Sequence, residues 1–188
     1  MQLCAIKLNS SVLDFIIEDE ENNTKCRILV SKVKPHIYYS ALLIVFYLLS
    51  CASTFIYYII CKILDLNFNM VNTNNFLIIM LMINLVSVSL NLLIVSFTRS
   101  RYVASTINIL LVIPSCMLSG VFWDFEIMPT YLQRIGEFLP QRWVYICLDK
   151  LKIYDNLSYV SNYIFAMIIL SLLFFVISII FFKRRKVC

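Results

Sequence analysis

Charged residues are scarce in this chain of 188 residues, because Asp, Glu, Lys and Arg together make up 14% of it, against about 25% in an ordinary soluble domain. Glycine occurs twice and proline four times, so the chain is neither fibrous nor rich in linkers. Hydrophobic residues make up 61% of the sequence. This composition excludes a soluble globular enzyme, a disordered tail and a nucleic-acid-binding module. The formal net charge is +5, and the basic residues that produce it are expected to flank membrane spans.

The motifs of several enzyme classes are also missing. No phosphate-binding loop of the G-x-x-x-x-G-K-[ST] type occurs, so we do not expect this chain to bind and hydrolyse ATP by that device. The single histidine, His36, belongs to no H-E-x-x-H pattern, and no metal centre is expected. The seven cysteines form no C-x-x-C pair and are interpreted as small apolar side chains in helices. We therefore expect no cofactor on this chain.

Four long runs without charge predict the fold class. A membrane-spanning helix needs about 20 apolar residues to cross about 30 Å of hydrocarbon, and lipid cannot hydrogen-bond an open backbone. None of the runs alternates polar and apolar residues as the strands of a membrane barrel do. We therefore predict an all-α polytopic membrane protein with four transmembrane helices, at residues 38–61, 76–97, 102–123 and 160–182.

The basic residues predict the orientation. Most of the sixteen lie in the first 36 residues, in the short connection at residues 98–101 and in the tail at residues 183–186. Because Lys and Arg favour the cytoplasmic side, and an even number of spans puts both ends on one side, both termini are predicted to be cytoplasmic, in the cell membrane. The spans themselves contain no Asp, Glu, Lys or Arg, which argues against a self-powered secondary transporter.

Two segments outside the spans carry amphipathic patterns. At residues 16–34, four acidic residues precede a short amphipathic stretch that Pro35 ends. This segment is either a charged, solvated loop or a short cytoplasmic helix that docks on a partner. Residues 124–155 hold a short amphipathic piece that starts at Pro129 and a second apolar piece. They are too short and too charged to span, so they are predicted to lie in the outer interface or to dip back into it.

Polar side chains recur at helical spacing in the second and third predicted spans. Inside a bilayer such side chains face other helices or a cavity, so both helix packing and a path for cargo remain open interpretations. Because no face is charged, an amphipathic or apolar cargo is expected rather than a small ion. The candidate path residues are Asn84, Ser87, Asn91, Asn108, Ser115 and Ser119.

Two runs of the sequence resemble one family, the ABC-2 type permeases, which are the membrane subunits of ABC exporters. Residues 20–29 are similar to the segment that leads into the family's coupling helix, although Asn23 stands where the family usually has glycine. Residues 114–143 resemble the closing part of these permeases. The matching positions there are Leu118, Ser119, Gly120, Phe122, Met128, Pro129, Leu132, Gln133, Pro140 and Trp143. The two runs occur in the family's order, and the resemblance covers about residues 16–186.

The resemblance implies a cytoplasmic segment with a coupling helix at residues 1–36 and an ABC-2 type transmembrane domain at residues 37–186. The four spans would correspond to the family's third to sixth spans, with the first two absent from this chain. It further implies a partner ABC ATP-binding subunit that holds ATP and Mg²⁺, and a dimer with a second permease copy or a longer permease. The residues expected to contact the ATP-binding subunit are Glu20, Glu21, Thr24, Arg27 and Leu29. Those expected to form an outer gate are Gly120, Pro129, Leu132, Pro140 and Trp143.

The predicted function is therefore a membrane-spanning permease subunit of an ATP-driven exporter, without enzymatic activity of its own. One alternative is a small non-transporting membrane protein that binds and regulates or protects another membrane complex. Such a protein would not require the coupling segment. A second alternative, a membrane-embedded enzyme, would need a titratable cluster near the interface. Its only candidates are Asp124, Glu126, Glu137 and Asp149.

Overall fold

The computed structural model describes residues 35–63, 73–98, 100–120, 122, 124–154 and 157–184. The described parts form six α-helices and two short 3₁₀ turns and contain no strand, which confirms the predicted all-α class. The 3₁₀ turns are Phe125–Ile127 and Leu157–Tyr159. The helices are α1 (Pro35–Ile63), α2 (Thr73–Phe97), α3 (Arg101–Leu118), α4 (Thr130–Glu137), α5 (Pro140–Tyr154) and α6 (Ser161–Arg184).

Three of these helices are long and apolar enough to cross a membrane: α1, α2 and α6, over Ser40–Ile63, Asn74–Phe97 and Ser161–Phe181. The third predicted span, residues 102–123, differs from the helix observed there. Helix α3 is apolar over Tyr102–Leu118 and ends at Leu118 rather than at residue 123. It ends there because Gly120 adopts φ +86°, the left-handed conformation that closes many helices. At about 1.5 Å per residue its 18 residues reach roughly 27 Å.

Helix α2 lies at the centre of the packing. One apolar cluster joins it to α1 and α3 through Phe46, Leu92 and Ala104. A second cluster joins it to α5 and α6 through Cys147 and Met167, among others. By contrast, α1, α3 and α6 each leave a broad set of large apolar side chains exposed, as expected for helices whose outer faces are solvated by lipid tails.

Hydrogen bonds that involve side chains tie α1 and α6 to α2. The Nδ2 of Asn84 donates to the Oγ1 of Thr54 at 2.9 Å and to the carbonyl oxygen of Ser50 at 3.3 Å, both on α1. From α6, the Ser178 hydroxyl donates to the carbonyl oxygen of Leu92 at 3.1 Å. Such interhelical bonds hold packing partners in register where the hydrophobic effect offers little preference.

The segment between α3 and α6 is termed the connector, comprising the described residues 122, 124–154 and 157–160. It contains the 3₁₀ turns and helices α4 and α5. Helix α4 follows Pro129, whose φ of −54° suits a helix start. Its exposed apolar side chains include Tyr131 and Ile135, whereas α5 buries Val144 and Leu151 against α2 and α6. The connector is therefore anchored to the helical core through α5.

Candidate functional site

The predicted path residues of α2 are placed inside the helix packing. Asn84 is 2% exposed and its amide is used in the contact with α1. Asn91 is also buried, and Ser87 is half-buried. The contacts of Asn84 support the packing interpretation for that residue.

The predicted path residues of α3 lie on one buried stripe. Asn108, Ser115 and Ser119 are buried, and so is Cys116. The hydroxyls of Ser115 and Ser119 donate to carbonyl oxygens three residues earlier in their own helix, at 2.9 and 2.7 Å. This satisfies the hydroxyl protons, as is usual for serine within a helix.

The end of this stripe meets the start of α5. The Nε2 of Gln141 donates to the Oγ of Ser115 at 3.0 Å. One turn further along α3, the Nη1 of Arg142 donates to the carbonyl oxygen of Ser119 at 3.4 Å. Two polar contacts therefore join the end of α3 to consecutive residues of the connector.

Two aromatic rings lie next to the Arg142 guanidinium. Its central carbon lies 3.7 Å from the centroid of the Phe125 ring and 5.3 Å from that of Tyr145. A planar cation over a ring face is attracted by the ring quadrupole, and the guanidinium also stacks on the ring by dispersion. We name this group of five residues the clasp: Ser115, Ser119, Phe125, Gln141 and Arg142.

Two glycines allow the close approach around the clasp. A Cβ at Gly120 would lie 3.2 Å from Nη1 of Arg142 and 3.3 Å from Cβ of Phe125, and its φ of +86° disfavours other residues. A Cβ at Gly136 would lie 2.6 Å from the carbonyl oxygen of Leu118 and 2.9 Å from Cε2 of Phe125. Because a backbone carbonyl cannot swing aside, Gly136 is required for α4 to rest on the end of α3.

The side chains of Gln133 and Trp143 hold the remaining turns of the connector. The Nε2 of Gln133 donates to the carbonyl oxygens of Phe125 and Met128, at 3.1 and 2.8 Å. The Nε1 of Trp143 donates to the carbonyl oxygen of Glu137 at 2.8 Å, which joins the start of α5 to the end of α4. These bonds tie the 3₁₀ turn to α4 and α4 to α5.

The residues predicted to form an outer gate are thus distributed along the connector. Gly120 contacts the clasp, Trp143 links α4 to α5 and Pro140 is the buried first residue of α5. Leu132 is half-buried on α4, and Pro129 is exposed at its start. The residues predicted to contact the ATP-binding subunit lie outside the described residues; they are Glu20, Glu21, Thr24, Arg27 and Leu29.

Sequence reasoning missed four residues of this site: Phe125, Gly136, Gln141 and Arg142. One signal was available, because the chain has only two glycines and both lie at this junction. Arg142 was counted only as a charge for orientation. Its contact with Phe125 depends on how the connector folds back, which no local pattern encodes.

The four acidic residues considered for a membrane-embedded enzyme all lie in the connector. The four acidic candidates for an enzyme are exposed, and Asp149 pairs with Lys152 at 3.6 Å. Within the described ranges, no three His, Cys, Asp or Glu side chains are grouped to hold a metal ion. Burial raises the pKa of the Cys147 thiol to about 11, and nearby Lys150 lowers it only in part. While it is buried, this thiol is therefore protonated at neutral pH and reacts slowly.

Comparisons with known proteins agree with the resemblance. The family model for the ABC-2 type transporter matches residues 8–151, more than half of the chain. The chain is also 39% identical, over 56 residues, to the linearmycin resistance permease protein LnrN of Bacillus subtilis strain 168. That match covers 30% of this chain and 14% of the relative's length. No solved structure matches the chain.

Proposed function

Because the chain belongs to the ABC-2 type transporter family, we propose that it works as the permease subunit of an ATP-driven exporter. Membership of this family makes it the membrane subunit of a transporter rather than an enzyme. The observation that carries the proposal is the extent of the family match, which runs from residue 8, ahead of α1, to residue 151 in helix α5 of the connector. The three long apolar helices supply the membrane-spanning part that such a subunit needs.

The energy is proposed to come from a partner chain. A separate ABC ATP-binding subunit would hold ATP and Mg²⁺, as the resemblance to the ABC-2 type permeases implies. The coupling segment, with Glu20, Glu21, Thr24, Arg27 and Leu29, would receive the closure of that partner. The closure can shift the spans between two states only if the partner binds the two states differently.

The cargo is proposed to be amphipathic or apolar. The described helices expose no charged face within the spans, and large apolar side chains dominate their surfaces. The matching protein of Bacillus subtilis is a linearmycin resistance permease protein, which supports export of a toxic compound as the class of activity. The functional unit is proposed to be a dimer, with a second copy of this chain or with a longer permease.

The proposal also places the connector at the outer face of the membrane. Its helix α4 exposes Tyr131, Ile135 and the following Phe138, while Arg134 and Glu137 of the same helix are exposed charges. A short helix of this composition is suited to the interface between lipid and water. There it would border the exit of the path as part of the outer gate.

The experiment that tests this function is purification of the tagged full chain from its native host in a mild detergent, with mass spectrometry of the proteins that accompany it. A Glu20→Lys/Glu21→Lys double variant reverses charge in the coupling segment. The matched control is Glu126→Lys/Glu137→Lys, which makes the same charge change at exposed connector positions.

We expect an ATPase with a phosphate-binding loop to accompany the wild type and the control variant, and to be lost from the coupling variant. Its absence from the wild type, under conditions that preserve other exporters of the host, would reject the permease function. The chain would then fit a membrane protein that binds another complex. Retention by the coupling variant would instead reject the assignment of the contact to Glu20 and Glu21.

A further inference from the structure

We propose that the clasp is a releasable attachment between the end of α3 and α5, which opens when the transporter moves its cargo. This inference rests on the proposed function for the moment of opening, and on the geometry alone for the attachment. It assigns Gln141 and Arg142 as positioning residues of the outer gate.

Helix α3 packs along one buried face, the stripe described above, and its two ends make different kinds of contact. Near its start, Ala104 is fully buried in the apolar cluster formed with α1 and α2. Between the ends, Leu110, Leu111 and Ile113 are exposed. At its far end, the polar links to α5 run through Ser115 and Ser119. The position of that end therefore depends on the clasp.

Helix α5, on the other side of the clasp, is firmly anchored. Val144, Cys147 and Leu151 are almost completely buried in the cluster with α2 and α6. The clasp thus joins a part that is fixed to the core with a helix end that otherwise rests on Gly136 of the short helix α4. A change at the clasp is expected to move α3 rather than α5.

Stacking and close packing favour the closed clasp. The guanidinium of Arg142 is held 3.7 Å over the Phe125 ring, and Phe125 in turn sits against both glycine positions. A cation–π contact of this kind corresponds to a shift of roughly 2- to 30-fold in an equilibrium.

Desolvation opposes the closed clasp. In the part of the chain that the structure describes, no carboxylate pairs with Arg142. Two of the clasp's buried polar atoms, Nε of Arg142 and Oε1 of Gln141, have no hydrogen-bond partner among these residues. Buried polar groups without partners disfavour the state that contains them, and water at the membrane interface would satisfy both after opening. The closed and open states are therefore balanced closely enough for a ligand or a partner to shift them.

Two native cysteines report on the opening. Cys116 lies on the buried stripe of α3 next to the clasp, and it is 2% exposed. Cys147 lies on α5 and is 0% exposed. Release of the end of α3 uncovers Cys116 and leaves Cys147 covered, so the ratio of their labelling separates opening from general loosening.

The test measures labelling of both thiols by N-ethylmaleimide in native membranes that contain the full chain, with peptide mass spectrometry to assign the sites. Arg142→Leu and Phe125→Leu each remove one side of the stack, and Arg142→Lys keeps the charge without the planar group. The control is Lys152→Leu, which removes an exposed cation from the same helix.

We expect Arg142→Leu and Phe125→Leu to raise the labelling rate of Cys116 roughly 2- to 30-fold, with Cys147 unchanged. Arg142→Lys should fall between wild type and Arg142→Leu, and Lys152→Leu should match the wild type. An equal rise at both cysteines would show general loosening and overturn the inference. An unchanged Cys116 rate would overturn it as well.

A second arm tests the link to transport in the wild type. Addition of ATP and Mg²⁺ to membranes with the intact transporter should raise the Cys116 rate, and vanadate should change it again by trapping one state of the cycle. If the ATPase accompanies the chain but nucleotide leaves Cys116 unchanged, release during transport is rejected while the proposed function stands. If no ATPase accompanies the chain, the proposed function fails, and the variants alone decide whether the attachment exists.

Discussion

The contact between Gly136 and the end of α3 gives the sharpest test of the connector geometry. Replacing Gly136 by alanine puts a Cβ 2.6 Å from the carbonyl oxygen of Leu118 and 2.9 Å from Cε2 of Phe125. The carbonyl belongs to the backbone, so helix α4 must move away from α3. Overpacking of this kind costs about 1–3 kcal/mol. Alanine is about 1 kcal/mol more favourable than glycine inside a helix, so we expect a net loss of about 1 kcal/mol.

The assay is thermal unfolding of the purified chain in detergent, followed with a dye that reacts with newly exposed thiols such as Cys116 and Cys147. A loss of about 1 kcal/mol lowers the Tm by about 2–4 °C for a chain of this size. Gly136→Val should lower it further, because a larger side chain meets the same carbonyl. Arg134→Ala, at an exposed position of α4, is the control and should change little. A Gly136→Ala protein more stable than wild type would refute the reasoning, since only helix propensity would then be at work.

Three further predictions each concern a single residue. Asn84→Leu removes the bonds to Thr54 and to the backbone of α1, and it should lower stability by about 0.5–1.5 kcal/mol in the same assay. The Ser89 hydroxyl donates to carbonyl oxygens of its own helix, so Ser89→Ala should have a smaller effect. Equal effects of the two substitutions would contradict the role of Asn84 in holding α1 to α2. Gln133→Ala removes the hydrogen bonds from its amide to the carbonyl oxygens of Phe125 and Met128 and should cost about 1 kcal/mol, whereas an unchanged Tm would show that water replaces the amide. Because burial raises the pKa of the Cys147 thiol to about 11, it stays protonated below that pH. Its labelling rate should therefore keep rising with pH and level off only near pH 11, and a rate that levels off near pH 9 would contradict the burial of this thiol.

The positions of the long helices follow from the sequence, because absence of charge over more than 20 residues leaves few alternatives in a membrane protein. Their packing order does not. Hydropathy treats α1, α2 and α6 alike, yet α2 lies at the centre and the others flank it. Asn84 was the useful signal, because a polar side chain in an apolar helix needs a partner on a neighbouring helix.

The end of helix α3 at Leu118 could not be predicted from hydropathy. Residues 119–123 are mainly apolar, so the third span was predicted to continue through them. The backbone instead turns at Gly120, whose φ of +86° is a property that hydropathy does not measure. Glycine after an apolar run is an ordinary helix-ending signal, and it outweighed the apolar residues that follow.

The clasp was only partly predictable. Ser115, Ser119 and Gly120 were singled out from the span pattern and from the resemblance, and the structure places all three at the junction with α5. Arg142 and Phe125 were not, because their stacking joins positions brought together only when α4 and α5 fold back on α3. The coupling residues, such as Glu20 and Thr24, remain predictions.

The central claim is that this chain is the membrane subunit of a larger, ATP-driven assembly. Native mass spectrometry of the complex purified from its host tests this most directly, because it reports the composition of the intact particle. We expect a particle with two ATPase subunits and two permease subunits, of which at least one is this chain of 22.0 kDa. A particle that contains the chain alone, or the chain bound to a membrane complex without an ATPase, would contradict it.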